Sequence, residues 1–155
     1  PVLLKRFYAA LGESYNTLKQ YEKSDAAFEE ALRIDPTDVF IMNNYAYYLA
    51  LRKSKLDSAV NLSARANELQ PGMASFEDTY AYVLFRQGKH EQALVWMKKA
   101  MSHGEVSSDM HEHMGDILFH LGKTDEAINE WKQAAAIPGA SAKVSEKINQ
   151  RRYID

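Results

Sequence analysis

Small residues recur along this chain at a period of 34 to 35. Ala31, Ala66, Ala100 and Ala134 stand 35, 34 and 34 residues apart, and Ser24, Ala59, Ala93 and Ala127 take the same steps. A third column, Gly12, Ala46, Ala81 and Gly115, steps 34, 35 and 34. The longer step changes place between the columns. That puts a one-residue insertion inside Arg52–Ser58, between two helices of a second unit. A fourth column carries the large side chains Phe28, Met97 and Trp131, with Ser63 as its weak member. An internal period of this length marks stacked supersecondary units, each unable to bury its apolar face alone.

Within each period the pattern is that of two helices. The stretch Gly115–Pro138 shows it best: a helix ending near His120, a turn at Leu121-Gly122-Lys123, and a second helix from Thr124. Thr124 is a candidate N-cap, with Asp125 and Glu126 in the first turn where the helix dipole favours carboxylates. Ala127, Trp131 and Ala134 share one face of that second helix, small residues flanking a large one. Read this way, helices are expected at about 4–18, 21–34, 38–52, 56–69, 75–87, 90–103, 108–121 and 124–137. Asp35-Pro36-Thr37, Gln70-Pro71-Gly72 and Ser102-His103-Gly104 separate the units, and Gly88 and Gly122 fit C-cap positions. Ser141 is placed to cap a last helix to about Ile154, with Val144 and Ile148 four apart on an otherwise polar surface. Terminal repeats need a partly polar cover, so 141–154 reads as a capping helix; a basic recognition tail is the alternative.

These residues resemble the tetratricopeptide repeat pattern over about residues 5–138. The first unit gives Tyr8, Leu11-Gly12, Tyr15, Ser24, Phe28, Ala31 and Pro36. The second gives Met42, Tyr45-Ala46, Leu49, Ala59, Ser63, Ala66 and Pro71. The third gives Tyr80-Ala81, Leu84, Ala93, Met97 and Ala100, with Glu77 where a large apolar residue is usual. The fourth gives Met114-Gly115, Leu118, Ala127, Trp131 and Ala134. The resemblance implies an all-α, right-handed α-solenoid of four helix-turn-helix repeats (about 4–37, 38–72, 73–107 and 108–139) plus the C-terminal capping helix. The whole of 1–155 then forms one domain. Because the chain enters a repeat almost at once, it reads as a fragment of a longer protein.

Composition narrows the function. At 155 residues, 46% hydrophobic and 26% charged, the chain is long enough for a buried core. Its net charge of −2 lacks the basic excess that nucleic-acid binding draws on. It has no cysteine, which removes disulfides, thiolate metal sites and a cysteine nucleophile. No apolar run is long enough to span a membrane, and the seven glycines fall at turns or helix crossings rather than in a phosphate loop. No nucleophile–base arrangement is visible, so the reading is non-enzymatic, with no cofactor. His113, Asp116 and His120 share a helical face and could ligate a metal. The competing reading is an ordinary repeat surface.

The resemblance also implies where a partner binds, on the concave face lined by the first helix of each pair. Transferred by offset from the Leu-Gly pair, the inward positions are Arg6, Ala9, Glu13 and Asn16 in the first unit. The second contributes Phe40, Asn43, Asn44 and Tyr47, the third Asp78, Thr79, Tyr82 and Phe85, the fourth Asp109, Glu112, His113, Asp116 and Phe119. Tyr47 and Tyr82 are expected in the open groove; Phe85 and Phe119 are equally readable as helix packing. Relatives that hold acidic chaperone tails use lysines and arginines, where this chain has Ala9, Glu13, Asn44, Ser75 and Thr79. The expected partner is therefore a protein or peptide of neutral polar to basic character, gripped by asparagine amides and tyrosines. The alternative is a spacer or self-association module, including a homo-oligomer, in a longer array. Asn43–Leu49 and Arg151–Ile154 resemble tetratricopeptide proteins of Bacteroides-type bacteria, many of which work in the cell envelope.

Overall fold

The computed structural model describes all 155 residues, Pro1–Asp155. It is all-α: α1 (Val2–Thr17), α2 (Tyr21–Ile34), α3 (Val39–Leu51), α4 (Leu56–Leu69), α5 (Ala74–Arg86), α6 (His90–Met101), α7 (Ser108–His120), α8 (Thr124–Ala135) and α9 (Ala142–Gln150). The eight repeat helices fall where the period places them. They form two compact units, Pro1–Pro71 with α1–α4 and Gly72–Asp155 with α5–α9. In the first, α1 pairs with α2, α3 with α4, and α2 meets α3; in the second, α5 pairs with α6, α7 with α8, and α9 packs on α8.

The periodic columns are the helix crossings. Ala31, Ala66, Ala100 and Ala134 are fully buried, as are Ala59, Ala93 and Ala127. An ideal Cβ on Gly12 would lie 2.7 Å from the Phe28 ring, and one on Gly115 would lie 2.4 Å from Trp131. The large residue of the second helix thus fills space that the first helix vacates, to the density interiors require. In the third unit the buried Glu77 stands where bulk was expected. His103 Nδ1 lies 2.9 Å from one carboxylate oxygen and Lys99 Nζ 3.6 Å from the other. These are close contacts rather than hydrogen bonds, for neither carboxylate oxygen nor His103 Nδ1 has a hydrogen-bond partner, and they offset only part of the cost of burying such a group.

The inner turns explain the insertion. Leu18–Gln20, Gln87–Lys89 and Leu121–Lys123 each connect a pair with three residues, while Arg52–Lys55 uses four. In all four the second residue is left-handed: Lys19, Lys53, Gly88 and Gly122. Each of these turns carries the same bond pair, for example Gly88 N–H to Phe85 O and Lys89 N–H to Leu84 O. Lys55, itself at φ 45°, is the added residue.

Three local expectations change. Thr124 is the first residue of α8, and Lys123 occupies its N-cap position. The side-chain caps that form are Asp38, accepting from Phe40 N–H and Ile41 N–H, and Ser107, accepting from Met110 N–H. Helix α9 stops at Gln150 rather than near Ile154, because Arg151 turns left-handed (φ 51°) and redirects the chain. Ser141 holds the N-cap position of α9, but its hydroxyl donates to Glu112 instead of capping.

Candidate functional site

In the first unit Arg6, Ala9, Glu13 and Phe40 of the predicted set line one cleft, while Asn16, Asn43 and Tyr47 lie outside its lining. A cleft of about 400 Å³ is lined by Val2, Lys5, Arg6, Ala9, Ala10, Glu13, Asp38, Phe40 and Ile41. Asn44 closes one edge by donating to Glu13 Oε1 at 3.3 Å. Phe40 is 58% exposed on the rim. Asn43 is half-buried, and its Oδ1 has no hydrogen-bond partner. Tyr47 is also half-buried, with its ring 6.2 Å from that of Tyr48. Lys5 does not project freely, since Nζ sits 2.8 Å from both Asp35 and Asp38. Those bonds, with the Thr37 bonds to Asp35, hold the Asp35 carboxyl down at about 2. Arg6 is the exposed cation of the cleft.

The second unit gathers its predicted residues differently. Tyr82 is buried rather than open, its ring stacked on His113 at 4.5 Å. Burial pushes its hydroxyl up to about 12. His113 donates from Nδ1 to Asp78 Oδ1 at 2.8 Å. Burial opposes a charge on His113, but Asp78 outweighs it and raises the imidazole's affinity for its proton. Phe85 is buried between His90, His120 and Tyr153, which decides it as packing. Phe119 packs against Trp131 in the same sense.

Glu112 and Asp116 are likewise occupied, by the chain itself. Lys147 of α9 is 2% exposed and donates to Glu112 Oε1 at 2.8 Å and to both Asp116 oxygens at 2.8 and 2.9 Å. Trp131 Nε1 adds a bond to Asp116 Oδ1 at 3.0 Å. Beyond α9, Arg86 donates to Tyr153 at 3.0 Å and to Asp155 at 2.7 Å. The offset rule missed Arg86, Lys147 and Tyr153. In the sequence Lys147 stood among the charges read as the polar cover of the last helix. The metal alternative loses its ligands: His113 pairs with Asp78, Asp116 with Lys147, and His120 Nδ1 donates to the Asp116 carbonyl. No group of three histidine or carboxylate side chains is close enough to hold an ion.

The tetratricopeptide repeat model matches residues 5–38, and the model for anaphase-promoting complex, cyclosome, subunit 3 matches residues 52–134. No curated protein matches the sequence. Among solved structures, a tetratricopeptide repeat protein from Parabacteroides merdae superposes with TM-score 0.81 at 16% identity, over 95% of this chain and 57% of that one. The type IV pilus biogenesis factor PilW superposes with TM-score 0.79 at 18% identity, over 95% and 70%. PilF of Pseudomonas aeruginosa superposes with TM-score 0.71 at 19% identity, over 93% of this chain and 69% of that one. The chain thus spans little more than half the length of the Parabacteroides protein.

Proposed function

Because the chain belongs to the tetratricopeptide repeat family, we propose that it is a non-enzymatic scaffold that binds a protein segment on the first helices of its repeats. The observation that carries this reading is the α1–α3 cleft. It offers an exposed aromatic rim at Phe40, an exposed guanidinium at Arg6 and a carboxylate at Glu13. An extended peptide complements these groups: its main-chain carbonyls accept from the Arg6 guanidinium, and an apolar side chain packs on the exposed face of Phe40. The bound segment is neutral polar to basic, because Lys5 is already neutralised while Glu13 borders the cleft. Capture of a partner by immobilised wild-type chain, lost in Phe40→Ala/Asn44→Ala at unchanged helicity, supports the reading. Equal capture by both moves binding off this cleft.

A second reading, as a spacer or self-association module, draws on a different surface. Val2, Leu3, Leu4 and Phe7 are all exposed on α1, with Leu3 at 81%. A repeat helix ordinarily buries such side chains against its neighbour. Concentration-dependent mass in light scattering, abolished by Leu3→Glu/Phe7→Glu, is the signature of this reading.

A further inference from the structure

We infer that the segment Ser141–Asp155 is a strap that occupies a ligand surface of the second unit in cis, and that the same surface takes this segment from a second copy of the chain. The inference rests on reading the chain as a binding module.

Helix α9 has nine residues. A helix of that length is marginal in water, so it folds because it docks. Its docking is mostly polar. Val144 is its one fully buried apolar side chain, and Lys147, nearly as deep, is held by Glu112 and Asp116. Around these, Ser141 donates to Glu112, Arg151 donates to Asp125, and Arg86 holds Tyr153 and Asp155. The Tyr153 ring meets Phe85 and His120 edge-on, at 5.7 and 4.7 Å between centroids.

The receiving surface demands a cation. Glu112 and Asp116 lie in a nearly closed site, where a carboxylate without a partner is expensive. Burial already pushes Asp116 up, with Lys147 opposing it. When the strap leaves, a group of Lys147's chemistry has to return, at the same distance from an apolar Val144 and a Tyr153. The segment itself carries Lys143, Lys147, Arg151 and Arg152 against Glu146 and Asp155, four positive and two negative charges. The acidic side chains it meets, Glu112, Asp116 and Asp125, complement that excess, and Arg86 receives its one acidic end. The best-matched occupant is therefore another copy of the strap. Exchange needs a hinge, and Ala136–Ser141 supplies one: it joins α8 to α9 through Pro138-Gly139, with Gly139 at φ 90° in open space. Exchange of an identical element between copies keeps every contact and adds no new surface.

The test uses the full chain and a labelled synthetic peptide of residues 140–155, followed by fluorescence anisotropy. In wild type the cis strap competes. In Lys147→Gln/Tyr153→Ala the strap is weakened while its receiving surface is intact, so the peptide binds roughly tenfold tighter or more. Adding Asp116→Asn removes that gain. A folded strap variant that binds the peptide no better than wild type overturns the inference. Should that variant lose its helicity, amide exchange on wild type decides: α9 exchanging well before α7 and α8 supports a strap, and exchange in step with them overturns it. Phe40→Ala/Asn44→Ala lies in the first unit and leaves peptide binding unchanged, so failure of the partner cleft and failure of the strap are read separately.

Discussion

Lys147 Nζ lies between Glu112 and Asp116, at 2.8 Å from each, with only 2% of the residue exposed. One lysine on the last helix therefore neutralises two carboxylates that the family resemblance places on the concave face. Removing it is predicted to cost more than removing a surface ion pair. Lys147→Met leaves both acids buried without a cation, a loss of about 3–5 kcal/mol by analogy with broken buried pairs. The effect has a pH sign. Burial raises Asp116, and loss of Lys147 raises it further. A carboxyl raised by folding binds its proton more tightly in the folded state, so stability falls as pH rises towards the folded value. The melting-temperature deficit of Lys147→Met is thus larger at pH 8 than at pH 4.

Gly115 and Gly12 are predicted to resist alanine, although alanine is the better helix former by about 1 kcal/mol. At Gly115 a Cβ meets Trp131 at 2.4 Å and the Ala127 carbonyl at 3.0 Å, and a backbone atom has little room to give. At Gly12 the obstruction is the Phe28 ring alone. Both substitutions overpack, at about 1–3 kcal/mol each, with Gly115→Ala the worse. Urea denaturation ranks them.

These pairs show why the fold was legible. The columns Gly12–Phe28 and Gly115–Trp131 record a steric exchange between two helices, which sequence preserves at fixed spacing. The helix ends followed from Gly88, Gly122 and the one-residue insertion. The site was less legible. Tyr82 stands at a groove offset, yet its ring is large enough to reach back onto His113 and bury itself. Glu112 and Asp116 read as open because their partner, Lys147, lies 31 to 35 residues away in a helix whose charges looked like solvent cover.

The inner turns predict a gain. Lys53 and Lys19 adopt φ 51° and 57°, where a side chain is strained and glycine is not. Lys53→Gly is expected to be neutral to stabilising, by up to about 1 kcal/mol, and Gly88→Ala to destabilise by a similar amount. Thermal melts of the two variants, run together, give no shift or a rise for Lys53→Gly and a fall for Gly88→Ala.

Acid weakens the first unit at a defined place. Asp35 is held at about 2 by Lys5, and by Thr37, against an ordinary value of 3.8. A depressed carboxyl contributes stability that is complete above its unfolded value and is lost as pH falls through the folded one. The melting temperature therefore drops between about pH 4 and pH 2, and Asp35→Asn flattens that part of the profile.

Binding on the α1–α3 cleft is the central claim, and photo-crosslinking tests it most directly. A benzoylphenylalanine replaces Phe40 on the cleft rim in one sample and Val95, exposed on α6, in another. Both are exposed to extract of the source cells and irradiated. A product formed from position 40, absent from position 95 and lost on adding Asn44→Ala, is the predicted result. Identical products from both positions, or a position-40 product indifferent to Asn44, contradict the account.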